Sequence, residues 1–126
     1  MYLRQEWKVY QRSEQDLQYD IARAGWIGDY IDPMTFVDMF VTNGGNNQTG
    51  WSNKEYDKAI ETAKKSGDSK VRMQAMHDAE KIIMTEMPVM PIYFYVNNYV
   101  QKDYVKGVIK SPLGFIDFKY ATVEKK

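Results

Sequence analysis

The stretch from Asp68 to Val96 reads DSKVRMQAMHDAEKIIMTEMPVMPIYFYV and joins two different apolar patterns. In its first part, apolar residues recur at the spacing of one helix face: Ala75, Met76, Ala79, Ile82, Ile83 and Met87. Asp68 or Ser69 is a suitable N-cap for this helix, and Pro88 ends it. The run that follows, Val89 to Val96, is continuously apolar, which is typical of a strand covered on both faces. A helix followed by such a strand indicates an α/β fold.

Two more helices are predicted upstream of this stretch. Asp32-Pro33 is a helix-start signal, and it precedes an apolar stripe formed by Phe36, Val37, Phe40 and Val41. Ser52 or Asn53 is expected to cap the second helix, with a core face made of Tyr56, Ala59, Ile60 and Ala63. The polar loop 42–50 between the two helices holds three glycines and three asparagines. We therefore expect this loop to be mobile.

The first part of the chain carries weaker signals. Residues 7–15 are predicted to form a short helix or an irregular segment, because Trp7 and Tyr10 share a helix face. From Leu17 to Trp26, apolar residues first alternate with polar ones and then occupy both faces. This pattern predicts a strand that enters a covered sheet.

The last part of the chain is predicted to contain a short element over 102–108 and a final strand over 115–120. Two good strands do not form a stable sheet by themselves. We therefore expect a single partial domain over residues 1–126 that belongs to a larger protein. The uncovered strand edges also predict that the isolated chain self-associates as a dimer or higher oligomer.

The composition excludes several classes of function. The 126 residues contain 17 Lys and Arg and 17 Asp and Glu, so no nucleic-acid partner is expected. Cysteine is absent, which excludes disulfides, thiolate metal sites and cysteine nucleophiles. The apolar run 88–96 is shorter than the roughly 20 residues of a membrane-spanning helix. The first residues lack the apolar core of a signal peptide, so any signal or lipid anchor is expected outside this chain.

No catalytic, metal or cofactor site is predicted. The single histidine, His77, has only Glu80 one turn away, which is too few ligands for a metal ion. A Gly-x-Ser-x-Gly motif is absent, and Gly44-Gly45 lacks the residues of a phosphate-binding loop. Because no nucleophile–base pair can be assembled, the chain is expected not to be an enzyme, and a small hydrolase is the rejected alternative.

Asp29 is the carboxylate without an evident structural role. It follows the predicted strand in the sequence GWIGDY and lies between two aromatic residues, Trp26 and Tyr30. A carboxylate in this setting can receive a cation, with Trp26 as a flat wall beside it. The alternative is an Asx-type turn residue in front of the next helix. The ten tyrosines of the chain are similarly ambiguous, since they suit either a wet binding cleft or the amphipathic edges of a core.

Several of these motifs together resemble a known family. The residues that carry the resemblance are Gln5-Glu6-Trp7, Ala22-Arg23-Ala24-Gly25-Trp26, Gly28-Asp29-Tyr30, Asp32-Pro33, Asn46-Asn47, Trp51 to Asp57, Ala79-Glu80 and Met87 to Tyr95. In this order and spacing they resemble the C-terminal lobe of bacterial oligopeptide-binding proteins. These are the substrate-binding subunits of peptide ABC transporters, known as solute-binding protein family 5. The resemblance covers nearly the whole chain.

The resemblance implies an α/β fold: a C-terminal fragment of a type II periplasmic-binding-protein-like lobe, with few strands and about three helices. Residues from about 97 onward are expected to return toward the first lobe. The implied function is capture of oligopeptides outside the cell, at its surface or in the periplasm. The implied partners are the oligopeptide ligand and, in the full-length protein, the transporter permease. No cofactor is implied.

The resemblance also assigns roles to four residues. By the match, Asp29 receives the α-ammonium group of the peptide, and Trp26 lies beside it. Arg23 lies in the same cleft and helps to neutralise carboxylates, and Tyr95 contacts the peptide backbone. The alternatives that stay open are a binder of another solute in the same family, such as a nickel chelate or a sugar, and a self-associating fragment that binds no ligand.

Overall fold

The computed structural model describes residues 4–124. Within this range it contains four helices: α1 (Trp7–Gln15), α2 (Met34–Val37), α3 (Lys54–Lys65) and α4 (Ser69–Glu86). Four strands of two residues follow: β1 (Val105–Lys106), β2 (Ile109–Lys110), β3 (Ile116–Asp117) and β4 (Thr122–Val123). None of the helices in the described range has the length and apolar character needed to cross a membrane.

The chain divides into two compact units. Unit 1 contains the residues up to Trp26 together with Asp32–Met90, and unit 2 contains Ile27–Ile31 together with Pro91–Lys126. The apolar core belongs to unit 1, where α3 and α4 pack against each other and α2 packs against α4. Its buried apolar residues are Met34, Tyr56, Ile60, Ala63, Ala75, Met76, Ala79 and Ile83.

The two long helices begin and end where their sequences predict. The Asn53 side chain accepts hydrogen bonds from the backbone N–H groups of Glu55 and Tyr56, at 2.9 and 3.0 Å, and so caps α3. Asp68 caps α4 in the same way. At the other end of α4, Met87 adopts a left-handed conformation with φ of 53°, immediately before Pro88. The predicted caps of both helices are confirmed, and so are their core faces except at Met87. Met87 is 47% exposed, because the left-handed turn at this residue takes it off the face of α4.

The helix predicted from Asp32-Pro33 is much shorter than its apolar stripe suggests. It ends at Val37, because the carbonyl of that residue accepts a hydrogen bond from the buried Tyr56 hydroxyl instead of from a further helical turn. The N–H of Thr42 donates to the Asp57 carboxylate at 2.9 Å, which holds the following chain in a turn. Tertiary hydrogen bonds therefore replace the helix beyond its first turn.

The loop 42–50 has a polar anchor that its composition does not indicate. The Asn47 side-chain amide donates to the carbonyls of Phe40, Val41 and Trp51 at 2.9–3.1 Å. Its oxygen accepts from the N–H and the hydroxyl of Thr49. The mobility of this loop stays a prediction, but one side chain ties both of its ends.

Replacing Asn47 by alanine is expected to destabilise the protein by about 1–3 kcal/mol, because three partly buried carbonyls lose a shared donor. Amide exchange across residues 42–51 should rise in the same variant. The matched control is Asn46→Ala at the exposed neighbouring position, which should leave the free energy of unfolding unchanged. Equal effects of the two substitutions in urea unfolding would disprove the anchor.

The two predicted internal strands are wrong for this structure. The segment Leu17 to Trp26 has no regular structure; Leu17 has φ of 54°, and Ile21 is 94% exposed. The run Val89 to Val96 is also irregular, and its residues from Met90 onward are exposed. A strand needs a hydrogen-bonded neighbour, and the described residues provide none for either segment.

Unit 2 contains two small antiparallel ladders. β1 pairs with β4, and β2 pairs with β3. The predicted elements over 102–108 and 115–120 thus appear as two-residue strands. Gly107 has φ of 71°, and a Cβ atom there would lie 2.0 Å from the carbonyl oxygen of Tyr120. Only glycine fits this close approach of two backbone segments.

Candidate functional site

Asp29 lies in the short segment Ile27–Ile31. This segment belongs to unit 2, whereas Trp26 before it and Asp32 after it belong to unit 1. The Asp29 side chain is exposed, and the chain from Asp29 to Asp32 is a series of bends rather than a helix or strand. An exposed carboxylate on such a segment is accessible to a ligand in solution.

The indole of Trp26 is attached to α2. Its Nε1–H donates to the Thr35 hydroxyl at 3.4 Å. Thr35 is only 2% exposed and is the buried polar residue of the described core. The indole ring is partly buried, so its orientation is set by a contact within unit 1.

Asp32, on the other side of the segment, is attached to α4. One carboxylate oxygen lies 2.6 Å from the Arg72 guanidinium and also accepts the Met34 N–H at 2.8 Å. The hydrogen bond from Arg72, followed by that from Met34, lowers the pKa of Asp32 below its ordinary value of 3.8. Asp32 thus has the cap-like role predicted for it, although Pro33 occupies the N-cap position of α2.

The lowered pKa of Asp32 predicts an acid-sensitive contribution to stability. The ionised pair stabilises the fold above about pH 4, and this contribution is lost as the pH falls through the lowered pKa. Between pH 7 and about pH 3, the free energy of unfolding measured in urea should therefore fall more for the wild type than for Arg72→Met. Arg12→Met, which removes the exposed pair with Asp16, is the control and should lose as much as the wild type. Identical losses in wild type and Arg72→Met would contradict this prediction.

Arg23 lies on the exposed strip before Trp26. Its carbonyl accepts a hydrogen bond from the Tyr10 hydroxyl, which is also 3.0 Å from the Glu14 carboxylate. Burial and the Glu14 carboxylate raise the pKa of Tyr10 to about 12, against a smaller opposing effect of the Arg23 charge. Helix α1 therefore holds the backbone of Arg23 and leaves its side chain exposed.

Tyr95 lies in the exposed run after Pro91 and is 74% exposed. It belongs to unit 2, as Asp29 does, whereas Trp26 and Arg23 belong to unit 1. The four predicted site residues are thus divided in pairs between the two units. Among residues 4–124 there is no cluster of three His, Asp or Glu side chains that could hold a metal ion.

The chain is similar in sequence to peptide-binding proteins. The chain is 40% identical over 116 residues to the dipeptide-binding protein DppE of Bacillus subtilis. It is 42% identical over 117 residues to the oligopeptide-binding protein OppA of the same organism. Each match covers 92% of this chain. The chain is homologous to a segment of the oligopeptide-binding proteins. It spans about a fifth of their length: 21% of DppE and 22% of OppA.

Solved structures show the same relationship for this chain. The substrate-binding domain of an oligopeptide ABC transporter from Bacillus anthracis superposes with a TM-score of 0.80 at 34% identity, over 96% of this chain and 24% of that one. Listeria monocytogenes OppA bound to peptide gives 0.75 at 38% identity, over 95% and 23%. No protein-family model matches the chain. The predicted type II periplasmic-binding-protein-like α/β fragment is confirmed, with four helices in residues 4–124 instead of about three.

Two residues at this site, Arg72 and Thr35, were not predicted from the sequence. A signal for Arg72 exists, because it precedes Ala75, Met76 and Ala79 at the spacing of the buried face of α4. A charged side chain at the edge of an apolar face requires a partner. Thr35 carries no comparable signal, since a threonine in a short helix is common.

Proposed function

We propose that this chain is the part of an extracellular or periplasmic peptide-binding protein that receives the N-terminus of the peptide. The observation that carries the proposal is the homology across 92% of the chain to proteins named for binding dipeptides and oligopeptides. A further relative, Haemophilus influenzae OppA, has been solved in complex with the peptide RPPGFSPFR and is 42% identical to this chain.

The chemistry of Asp29 fits this role. A peptide of arbitrary sequence offers only its backbone and its two ends as constant features, so a binder with broad specificity must recognise those. The exposed carboxylate of Asp29 is a suitable acceptor for an α-ammonium group, and an indole such as Trp26 can cover one side of the pair. The family resemblance proposes two further roles: a balancing charge for Arg23 and a contact with the peptide backbone for Tyr95.

The location and the transport partner follow from the same proposal. Relatives from Haemophilus influenzae and Escherichia coli are named periplasmic binding proteins. We therefore place the full-length protein outside the cytoplasm, where it delivers peptide to the permease of an ABC transporter. No catalytic step is part of this role.

A second candidate function is self-association of the isolated chain without ligand. The observation that favours it is the exposed apolar run after Pro91, in which Phe94 is 98% exposed. Light scattering on the 126-residue chain should then show a dimer or higher oligomer. A stable monomer at high concentration would exclude this candidate without affecting the first one.

Calorimetric titration of the full-length protein that contains this segment tests the proposed function. The ligands are tri-alanine, a nickel–histidine chelate and maltose, which represent the three solute classes considered for the family. Saturable heat with tri-alanine alone is the expected result. Saturable binding of the chelate or the sugar, with none of the tripeptide, would overturn the proposal in favour of another solute.

A further inference from the structure

We infer that Arg72 and Thr35 are positioning residues, which attach the two ends of the Asp29 segment to helices α4 and α2. The inference rests on the proposed function, because it assigns these residues a role in presenting Asp29 to the peptide. Both contacts lie within unit 1, at the two points where the chain departs to Ile27–Ile31 and returns from it.

The first attachment is the contact between Trp26 and Thr35. The Thr35 hydroxyl is held inside the core, and it accepts the indole N–H from the last residue before the segment. Thr35 lies in α2 and is 2% exposed, so the packing around it restricts where its hydroxyl can lie. The start of the segment is thereby tied to the core of unit 1.

The second attachment is the ion pair between Asp32 and Arg72. The two side chains are 27% and 28% exposed, so salt screens them less than a fully exposed pair. The same carboxylate oxygen also binds the N–H of Met34, which is itself a core residue. The end of the segment is thus tied both to α4 and to the first turn of α2.

These two attachments limit the positions open to Asp29. Only the five residues Ile27–Ile31 lie between Trp26 and Asp32, and Gly28 is among them. A short segment with both ends fixed samples far fewer conformations than one with a free end. A binding carboxylate must be held within a fraction of an ångström of its productive position by its supporting residues. Arg72 is therefore expected to affect how well the site distinguishes a free amine from a blocked one.

Arg72→Met tests this role against a simple loss of stability. The variants are made in the full-length protein, and the matched control is Lys64→Met, which removes the pair between α3 and Asp38. Hydrogen exchange without ligand should show residues 27–31 exchanging about tenfold faster in Arg72→Met and unchanged in Lys64→Met. The preference for tri-alanine over N-acetyl-tri-alanine should fall about fivefold in Arg72→Met alone.

Each outcome of these measurements has a defined meaning. In Arg72→Met, wild-type exchange in 27–31 would overturn the inference. An unchanged preference for the free-amine peptide, which means equal losses of affinity for the two peptides, would also overturn it. If Arg72→Met does not fold, Arg72→Lys replaces it, since lysine keeps the charge but not the planar guanidinium. It should give an intermediate preference, and a wild-type value would overturn the inference. Failure of the proposed function is seen separately, as absence of tri-alanine binding by the wild type, while the exchange measurement needs no ligand.

Discussion

Replacing Asp29 by asparagine is expected to weaken the binding of a free-amine tripeptide by about 10- to 100-fold. The neutral amide can still accept a hydrogen bond, but it loses the charge that makes a pair with an ammonium group strong; such hydrogen bonds contribute about 1.5–3 kcal/mol. The N-acetylated form of the same peptide carries no ammonium group. Its affinity should change by less than about twofold.

The matched control for this substitution is Asp20→Asn. Asp20 is an exposed carboxylate of unit 1 that has no proposed role in binding. It should leave the calorimetric affinities for both peptides unchanged, even though it makes the same change in net charge. Equal losses for the free and the acetylated peptide in Asp29→Asn would show that Asp29 supports the fold and does not bind the amine.

Replacing Ile60 by alanine is expected to have the largest effect on stability. Ile60 is 2% exposed and is one of the two largest fully buried side chains. It lies on α3, which packs against α4. Removing its outer atoms from a packed core costs about 2–5 kcal/mol, since the surrounding helices collapse only partly into the cavity. Ile60→Val should cost about 0.5–1.5 kcal/mol.

Urea unfolding of the wild type, Ile60→Ala and Ile60→Val measures these losses. Val71→Ala is the control, because Val71 lies on α4 but is about half exposed. Its loss should stay within about 0.5 kcal/mol. If Ile60→Ala were no more destabilising than Val71→Ala, the α3–α4 contact would not be the core of unit 1.

The helices of unit 1 could be predicted because their signals are local. The caps Asn53 and Asp68 act on backbone groups two or three residues away, and the apolar stripes are contained within each helix. The end of α2 could not be predicted in this way. It depends on the Tyr56 hydroxyl, which is 19 residues away in sequence and takes the carbonyl that a longer helix would need.

The strand predictions were wrong for a related reason. An apolar run such as Val89 to Val96 indicates a covered strand, but a strand forms only beside a partner, which its own sequence does not specify. None of the residues 4–124 pairs with this run, so it is irregular here and exposed from Met90 onward. An apolar run predicts that its surface is covered, but it does not identify the element that covers it.

The candidate site could likewise be predicted only in part. Asp29 is a candidate binding residue from the sequence because it is a carboxylate between two aromatic residues. The family resemblance supplies its proposed role. The attachment of its segment could not be predicted, because Arg72 is 40 residues from Asp32 in sequence and meets it only through the packing of α2 on α4. The family resemblance indicates Asp29 as a candidate binding residue, whereas the residues that attach its segment can be identified only from the tertiary structure.

The proposal that Asp29 binds the peptide amine is tested most directly by a crystal structure of the full-length protein with tri-alanine. We predict an α-nitrogen within about 2.7–2.9 Å of an Asp29 carboxylate oxygen, the distance of a charge-assisted hydrogen bond. An α-ammonium group bound instead by water or by another carboxylate, with Asp29 turned away from the ligand, would contradict the proposal.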